Sequence, residues 1–239
     1  MPQASTITLF PRGVADSSGS RAFVRDRSGT VLALDLRTGT VLWRTESGLR
    51  PLAVVDDMLV AARVNAPGAL EVVILNGADG RVRRVSERIA LPSWVVPSLD
   101  DTAEFTLRAE VEGRSVVICW SAQARYQGGA PPSTKVRETF ERDHHGRAHV
   151  DLDTGAVEIL PESSDVMDDS AAQPETSTAE PNVLEQRDLG DKRFQLVADM
   201  QAGGPVRVLL RAVDRASRKV LWETLIEEAP QQRPKRLRP

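Results

Sequence analysis

The stretch that decides the fold of this 239-residue chain is Gly29-Thr-Val-Leu-Ala-Leu-Asp35-Leu-Arg-Thr-Gly39-Thr-Val-Leu-Trp43. Its first half is rich in Val and Leu, which is typical of a strand, and Val-Leu-Trp begins a second strand after the turn. In the turn, the Asp carboxylate can accept backbone N–H groups, and the glycine supplies the positive φ that a short hairpin needs. The stretch therefore predicts a β-hairpin that ends in a tryptophan.

Three further copies of this hairpin follow along the chain. In each copy, a polar residue is followed four positions later by the residue that closes the turn. These pairs are Asp35 and Gly39, Asn76 and Gly80, Asp151 and Gly155, and Asp214 and Arg218. Trp43 and Trp222 lie four positions after the turn-closing residue, whereas Arg84 and Ile159 take that place in the two middle copies. Since one hairpin cannot bury its apolar face alone, the copies must stack. We expect both tryptophans to be largely buried between neighbouring units, with weaker packing where the motif is eroded.

The motif of an apolar strand, Asp-x-x-Thr-Gly and Val-x-Trp resembles the blade motif of the quinoprotein-like β-propellers, the family of PQQ-type repeats. The match is nearly complete at 29–43, good at 206–222 and partial in the two middle copies. The resemblance implies an all-β fold, a small β-propeller of four or five degenerate four-stranded antiparallel blades, with residues 1–239 as a single domain. It implies little about function, because one fold hosts many functions.

Strand-like segments group into four units along the chain. They are 6–10 or the residues around Val14, 21–25, 31–35 and 41–45; then 51–55, 58–63, 70–75 and 81–89; then 93–99, 103–111, 114–121 and the hairpin 148–160; and lastly 193–200, 206–213 and 219–226. The third unit has one strand too many for a plain blade. The first strand of the fourth unit is either missing or hidden in the segment before it.

Closure of such a ring has two solutions. Four units are few for a propeller of the family that the chain resembles, and an open arc would expose strand edges. Segment 6–10 could pair with the last blade, around 219–226, and close a compact ring in a monomer. Alternatively, two arcs could associate head to tail as a homodimer. We favour the monomeric ring, because segment 6–10 has no other assigned partner.

Charge and cysteine content exclude several classes of function. The formal net charge is −3, so no overall field would attract nucleic acid or an anionic membrane, and no apolar stretch approaches the length of a membrane span. The single Cys119 allows no disulfide within the chain, which suits a reducing compartment. These features predict a soluble, cytoplasmic protein of bacterial type, although removal of a signal peptide would leave the same pattern.

Two segments stand apart from the repeats in composition. Residues 161–188 are rich in Ser, Pro, Thr and acidic residues and have no apolar period, which predicts an acidic flexible linker inside the domain. Residues 229–239 form a basic, proline-rich tail. Either segment could contact a charged partner, but we favour a solvated linker and a frayed terminus.

The densest group of acidic and imidazole side chains precedes the third turn. His144 and His149, with Asp143, could bind a metal ion through nitrogen and oxygen ligands or supply a general base. Their spacing matches no defined metal motif, and His149 falls within a predicted strand. An exposed polar loop is therefore the competing interpretation, and the one that the spacing favours.

A row of arginines follows the second turn. Arg81, Arg83 and Arg84, with Arg88 beyond them, partly alternate along a strand and could bind an anion. Such a row is more often a solvated strand edge that prevents sheets from aggregating. Cys119 precedes Trp120 in an apolar strand and is interpreted as a small buried hydrophobe.

No catalytic motif accompanies the repeats. The sequence contains no Gly-x-Ser-x-Gly, phosphate-binding loop or dinucleotide fingerprint. The quinone-dependent enzymes of the family that the chain resembles have a vicinal disulfide under the cofactor. Cys119 alone cannot form one, so we expect no cofactor and in particular no PQQ. The predicted function is a non-catalytic scaffold that binds an unidentified protein partner. The alternative is an enzyme, or a small-ligand or metal-binding protein, that uses loops around 127–149.

Overall fold

The computed structural model describes residues 4–5, 7–45, 48–66, 68–125, 133–134, 141–161, 182–200 and 205–229. Strands make up 64% of these residues, which confirms the predicted all-β fold. The strands form four antiparallel sheets of four or five strands each, so the architecture is that of a small β-propeller with four blades within the described residues. We call the sheets blades 1 to 4 in chain order.

The first half of the chain forms blades 1 and 2. The first strand, β1 (Ala4–Ser5), crosses to blade 3. Blade 1 consists, in this order, of β2 (Thr8–Phe10), β3 (Gly13–Ala15), β4 (Arg21–Arg25), β5 (Val31–Asp35) and β6 (Val41–Thr45). Blade 2 consists of β7 (Arg50–Val55), β8 (Met58–Ala66), β9 (Ala69–Asn76) and β10 (Val82–Val85), and the short β11 (Ile89–Ala90) also pairs with β9.

The second half of the chain forms blades 3 and 4. Blade 3 consists of β1 followed by β12 (Phe105–Glu112), β13 (Ser115–Ala124), β14 (Arg142–Asp151) and β15 (Val157–Leu160). Blade 4 consists of β16 (Val183–Leu189), β17 (Lys192–Met200), β18 (Val206–Asp214) and β19 (Val220–Ala229). Strands that follow one another in the chain pair within each blade, as short antiparallel connections favour.

Blades 3 and 4 each differ in one strand from the sequence-based assignment. Residues 93–99 form a turn and irregular backbone, so the surplus strand of the third unit is not formed. The first strand of the fourth unit is β16, which lies at the end of the segment interpreted as an acidic linker. Residues 162–181 of that segment and 230–239 of the basic tail lie outside the described residues.

The predicted pairing of segment 6–10 with the last blade is wrong. Strand β2 instead pairs with β3, with Phe10 opposite Gly13. A tight turn at Pro11 and Arg12, where Arg12 has a φ of 51°, folds the chain back at once, so β2 joins blade 1. Among the described strands, β19 pairs with β18 alone.

Apolar side chains between neighbouring blades form the core. One cluster joins blades 4 and 1, where the ring centroids of Phe194 and Phe10 lie 4.9 Å apart. A second cluster joins blades 1 and 2 around Phe23 and Leu59, and a third joins blades 2 and 3 around Ile74. Within the described part of the chain, no cluster of this kind joins blades 3 and 4. The blades therefore stack in the order 4, 1, 2, 3.

Candidate functional site

The four repeat turns share one backbone arrangement. In each, the N–H of the turn-closing residue donates to the carbonyl oxygen of the polar residue four positions earlier, at 2.8 Å. The turn-closing residue has a φ of 75° at Gly39, 72° at Gly80, 79° at Gly155 and 56° at Arg218. This left-handed conformation favours glycine, and Arg218 adopts it at a cost of about 1–2 kcal/mol. The aligned positions of the four copies thus have the same geometry.

The carboxylates of the turns accept backbone hydrogen bonds. Asp151 Oδ1 accepts the N–H of Thr154 at 2.7 Å and its hydroxyl at 2.8 Å. Hydrogen bonds of this kind lower the pKa of Asp35, Asp151 and Asp214 below its ordinary value, and the largest cause in each is the backbone N–H three residues later. The charged form of each Asp therefore stabilises its turn.

Acid should weaken these turns. Because the folded-state pKa of each Asp is depressed, its contribution to stability is present above the unfolded pKa of about 4 and is lost as the pH falls through the folded pKa. We expect the urea midpoint of the protein to fall between about pH 6 and about pH 3 more steeply than that of the triple variant Asp35→Asn, Asp151→Asn, Asp214→Asn. Equal slopes in the two proteins would show that these carboxylates contribute nothing.

The two repeat tryptophans join neighbouring blades. Trp43 of blade 1 donates its Nε1–H to Gly77 O of blade 2 at 3.0 Å, and its ring lies against Gly80, where an added β-carbon would be 2.6 Å from Cε3. Trp222 of blade 4 makes the same contact with Gly39 of blade 1, also at 2.6 Å, and donates to a carbonyl oxygen of that turn at 3.2 Å. Both rings are half-buried and pack against the apolar clusters that join the neighbouring blades.

Arginine takes the place of tryptophan between blades 2 and 3. Arg84 Nη1 donates to Thr154 O at 3.0 Å, and an added β-carbon at Gly155 would lie 3.0 Å from Arg84 Cδ. The aliphatic stem of an arginine can cover a glycine much as a ring does, while its charged end stays at the surface. The eroded second copy therefore retains a contact with the next blade.

The third copy differs in strand register. In blade 1 a bulge places Trp43 opposite Ala33, on the face toward blade 2. Strands β14 and β15 pair without a bulge, so Ile159 lies opposite Ala148, which faces blade 2, and Glu158 lies opposite His149. Directly opposed residues share a face of the sheet. Blade 3 therefore presents Glu158, not Ile159, on the face that points away from the stack.

The outer face of blade 4 is more apolar than that of blade 3. Val197, Leu209 and Leu225 lie opposite one another across β17, β18 and β19, on the face away from blade 1. Leu225 is 40% exposed. Further large apolar side chains of this blade are exposed: Leu184, Met200, Val220 and Leu221. Val197 is buried and Leu209 half-buried, so the apolar surface at this end of the stack comes from Leu225 and these four side chains.

The predicted arginine site is engaged within the chain. Arg83 forms an ion pair with Asp57 at 2.6 Å, and Arg81 with Asp79 at 3.6 Å. Arg84 contacts the third turn as described, and Arg88 lies 3.4 Å from a buried glutamate. These contacts suit the strand-edge interpretation, and anion binding by Arg81, Arg83 and Arg84 stays a prediction.

Strand β14 separates the predicted metal ligands. His144 and His149 are five residues apart, so they point to opposite faces of the strand, about 17 Å apart along it. Asp143 pairs with Arg125 at 2.7 Å. Nowhere in the described ranges do three or more His, Cys, Asp or Glu side chains form a group that could hold a metal ion. Residues 126–132 and 135–140, the main part of the predicted ligand loop, lie outside these ranges, and a site there stays a prediction.

Cys119 is buried in the middle strand of blade 3. Its side chain is 2% exposed, and burial raises the pKa of the thiol. A thiol with a raised pKa is a poor nucleophile. The packing therefore agrees with its interpretation as a small hydrophobe.

A cavity of about 930 Å³ lies between the first strands of the blades. Residues from β2 and β3, β7, β12 and β16 line it, so all four blades contribute. Four aspartates and glutamates reach its wall: Asp26, Asp100, Asp101 and Glu185. Six arginines reach it as well: Arg12, Arg25, Arg27, Arg50, Arg108 and Arg187. The described wall therefore has an excess of positive charge. No sequence motif indicates this cavity, because its arginines are scattered along the chain.

Ion pairs hold much of this wall together. Arg50 binds Asp101 with both terminal nitrogens at 2.8 Å and also donates to Leu107 O at 3.0 Å. Burial alone would raise the pKa of Asp101, but the hydrogen bonds and charge of Arg50 outweigh it and lower that pKa. Arg25 pairs with Asp100, and Arg12 pairs with Glu227 at 3.2 Å.

Solved structures share the fold class but little sequence with this chain. The chain is similar to BamB from Moraxella catarrhalis, at 18% identity and a TM-score of 0.28, over 89% of this chain and 61% of BamB. It is similar to the quinohemoprotein alcohol dehydrogenase of Comamonas testosteroni, at 14% identity and a TM-score of 0.31, over 87% of this chain and 34% of that one. It is also similar to the dihydro-heme d1 dehydrogenase NirN, at 14% identity and a TM-score of 0.24, over 92% and 47%.

These neighbours are PQQ-like and related β-propellers, which is the class that the repeat motif predicted. The chain spans less than two thirds of the length of each of them. No protein-family model and no curated protein matches the sequence. The four sheets and the repeat turns define the described part of the chain as a small β-propeller. In the described part of the chain, no helix combines the length and apolar character needed to cross a bilayer.

Proposed function

We propose that this propeller is a non-catalytic scaffold that binds a protein partner through the outer face of blade 4. The observation that carries the proposal is the exposed end of the apolar row on this face, where Leu225 is 40% exposed beside the half-buried Leu209, while Val197 at the other end is buried. Contiguous apolar surface of this kind marks interaction sites in soluble proteins. The ion pairs Arg211–Glu223 and Arg193–Asp188 lie beside this row at 2.6 and 2.8 Å and would form a polar rim.

The competing function is an enzyme or ligand-binding protein that uses the loops around 127–149. Most of those loops lie outside the described residues, and the part in β14 separates its histidines. The exposed apolar side chains of blade 4 favour the scaffold, and a site in the loops stays the alternative. We also propose that the protein binds no quinone and is cytoplasmic. The lone, buried Cys119 supports both parts of this proposal.

Capture of partners from an extract of the organism of origin tests the proposal. Leu225→Asp places a charge at the exposed end of the apolar row, so we expect it to lose the partner that the unmodified protein captures. Val96→Asp is the matched control, because Val96 is 83% exposed in the connection between blades 2 and 3, and it should capture the same partner. Circular dichroism establishes that both variants are folded.

Two outcomes would refute the proposal. If Leu225→Asp captures the same proteins as the control, the face of blade 4 is not the binding surface. If the unmodified protein captures nothing above background, the scaffold function itself is wrong.

A further inference from the structure

We propose that the cavity between the blades binds a small organic carboxylate that carries an apolar group, with Arg187 as the residue that binds the carboxylate. This inference does not depend on the scaffold function, because the cavity and the outer face of blade 4 are different surfaces. It also differs from the predicted loop site around 127–149, which belongs to blade 3.

Arg187 has donor groups without an acceptor. Its Nε is buried and has no hydrogen-bond partner among the described residues, although the residue lines the cavity. Among the described residues it forms an ion pair with Glu185, whose Oε1 lies 3.9 Å from Arg187 Nη2, which is too far for a hydrogen bond. The Nε is closed off from solvent, so a ligand in the cavity can reach only the terminal nitrogens of this guanidinium, on a side chain that is 25% exposed.

Glu185 is held away from Arg187 by another contact. Its Oε2 accepts the backbone N–H of Arg12 in blade 1 at 3.1 Å. Moving the carboxylate toward Arg187 would break this hydrogen bond and leave the Arg12 N–H without it. The positive charge of Arg187 is therefore only partly neutralised. Arg50, in contrast, binds Asp101 with both of its terminal nitrogens at 2.8 Å.

The geometry of the guanidinium selects the kind of anion. Its two terminal nitrogens, Nη1 and Nη2, form a planar pair of donors that matches the two oxygens of a carboxylate. A phosphate dianion would need further unpaired cations, and Arg12, Arg25 and Arg50 already have carboxylate partners. A monocarboxylate is thus the anion whose charge and shape the site matches.

Apolar residues define the rest of the ligand. Leu9 lines the cavity and is 53% exposed, which is unusual for a leucine next to a core. Leu52, Leu99 and Leu107 contribute to the same wall from the other side. An apolar group next to the carboxylate would cover Leu9 and gain about 25 cal/mol for each Å² of apolar surface removed from water, whereas Leu52 and Leu107 are already buried.

Isothermal titration calorimetry with the full chain tests the inference. The probes are phenylacetate, hexanoate, the neutral analogue 2-phenylethanol and inorganic phosphate. We expect at least one of the two carboxylates to bind, the neutral analogue to bind at least about tenfold more weakly, and Arg187→Gln to weaken carboxylate binding by about tenfold or more. Arg207→Gln is the matched control, because Arg207 belongs to the same blade, does not line the cavity and pairs with Glu228 at 3.4 Å, and its affinity should equal that of the unmodified protein.

The outcomes separate this site from its alternatives. Equal affinity of Arg187→Gln and the unmodified protein, or no binding of either carboxylate by a folded chain, would overturn the inference. Phosphate that binds more tightly than both carboxylates would overturn it too, and would assign the cavity to phosphorylated ligands. Loss of carboxylate binding in Arg187→Gln with an unchanged thermal midpoint supports the inference, because a structural role would lower the midpoint as well.

Discussion

Replacement of Trp43 by alanine is expected to lower the free energy of unfolding by about 3 kcal/mol, at the lower end of the range for Trp→Ala because the ring is only half-buried. The change would leave a gap over Gly80 and remove the hydrogen bond to Gly77 O. Trp222→Ala should have a similar effect at the contact of blade 4 with blade 1. Urea denaturation followed by circular dichroism measures both.

Leu42→Ala is the control for Trp43. Leu42 lies next to Trp43 in β6 but is 46% exposed, so its loss should cost no more than about 0.5 kcal/mol. If Trp43→Ala unfolds within that same interval of the unmodified protein, the ring does not join the blades.

The second large effect is expected for Gly80→Ala. The residue has a φ of 72°, and its new methyl group would lie 2.6 Å from Trp43 Cε3. Conformational strain of about 1–2 kcal/mol and overpacking of about 1–3 kcal/mol together predict a loss of about 2–5 kcal/mol. Thermal and urea unfolding of the variant measure the loss.

A matched glycine separates the two causes. Gly113 has a φ of 62°, but an added β-carbon there would meet no atom within 4 Å, so Gly113→Ala should cost only about 1–2 kcal/mol. Gly80→Ala made in a Trp43→Ala background should cost about as little, because the ring that it would strike is gone. A cost in that background as large as in the native one would exclude the clash as the cause.

Both predictions concern the mechanism that holds the stack together. A side chain four positions after one turn covers the turn-closing glycine of the next blade, from blade 4 to 1, from 1 to 2 and from 2 to 3. The two ends of this series differ, since blade 3 presents Glu158 and blade 4 presents an apolar row. The proposed partner-binding face lies at one end of the stack, and the proposed carboxylate site lies in the cavity at its centre. The variants that test the two sites therefore lie on separate surfaces.

Local features of the chain could be predicted because local interactions determine them. The spacing of Asp35, Gly39 and Trp43 specifies a turn hydrogen bond, a left-handed residue and a strand that begins again, and none of these needs information from elsewhere in the chain. The same reasoning identified the strands of blades 1 and 2 to within a few residues. A motif that repeats four times also implies stacking, which is why the fold class followed from the sequence.

Other features depend on contacts between distant segments. Ile159 occupies the tryptophan position in the alignment, but only the register of β15 on β14 shows that it faces the opposite way, because one bulge more or less reverses every side chain of a strand. The pairing of β2 with β3 rather than β19 likewise follows from a competition between partners. Arg187 belongs to a cavity only because four first strands converge around it, and no pattern along the chain brings residues 12, 50, 108 and 187 together. Each repeat hairpin is stabilised by contacts within its own turn. Strand register and the convergence of the first strands around the cavity depend instead on how the blades pack.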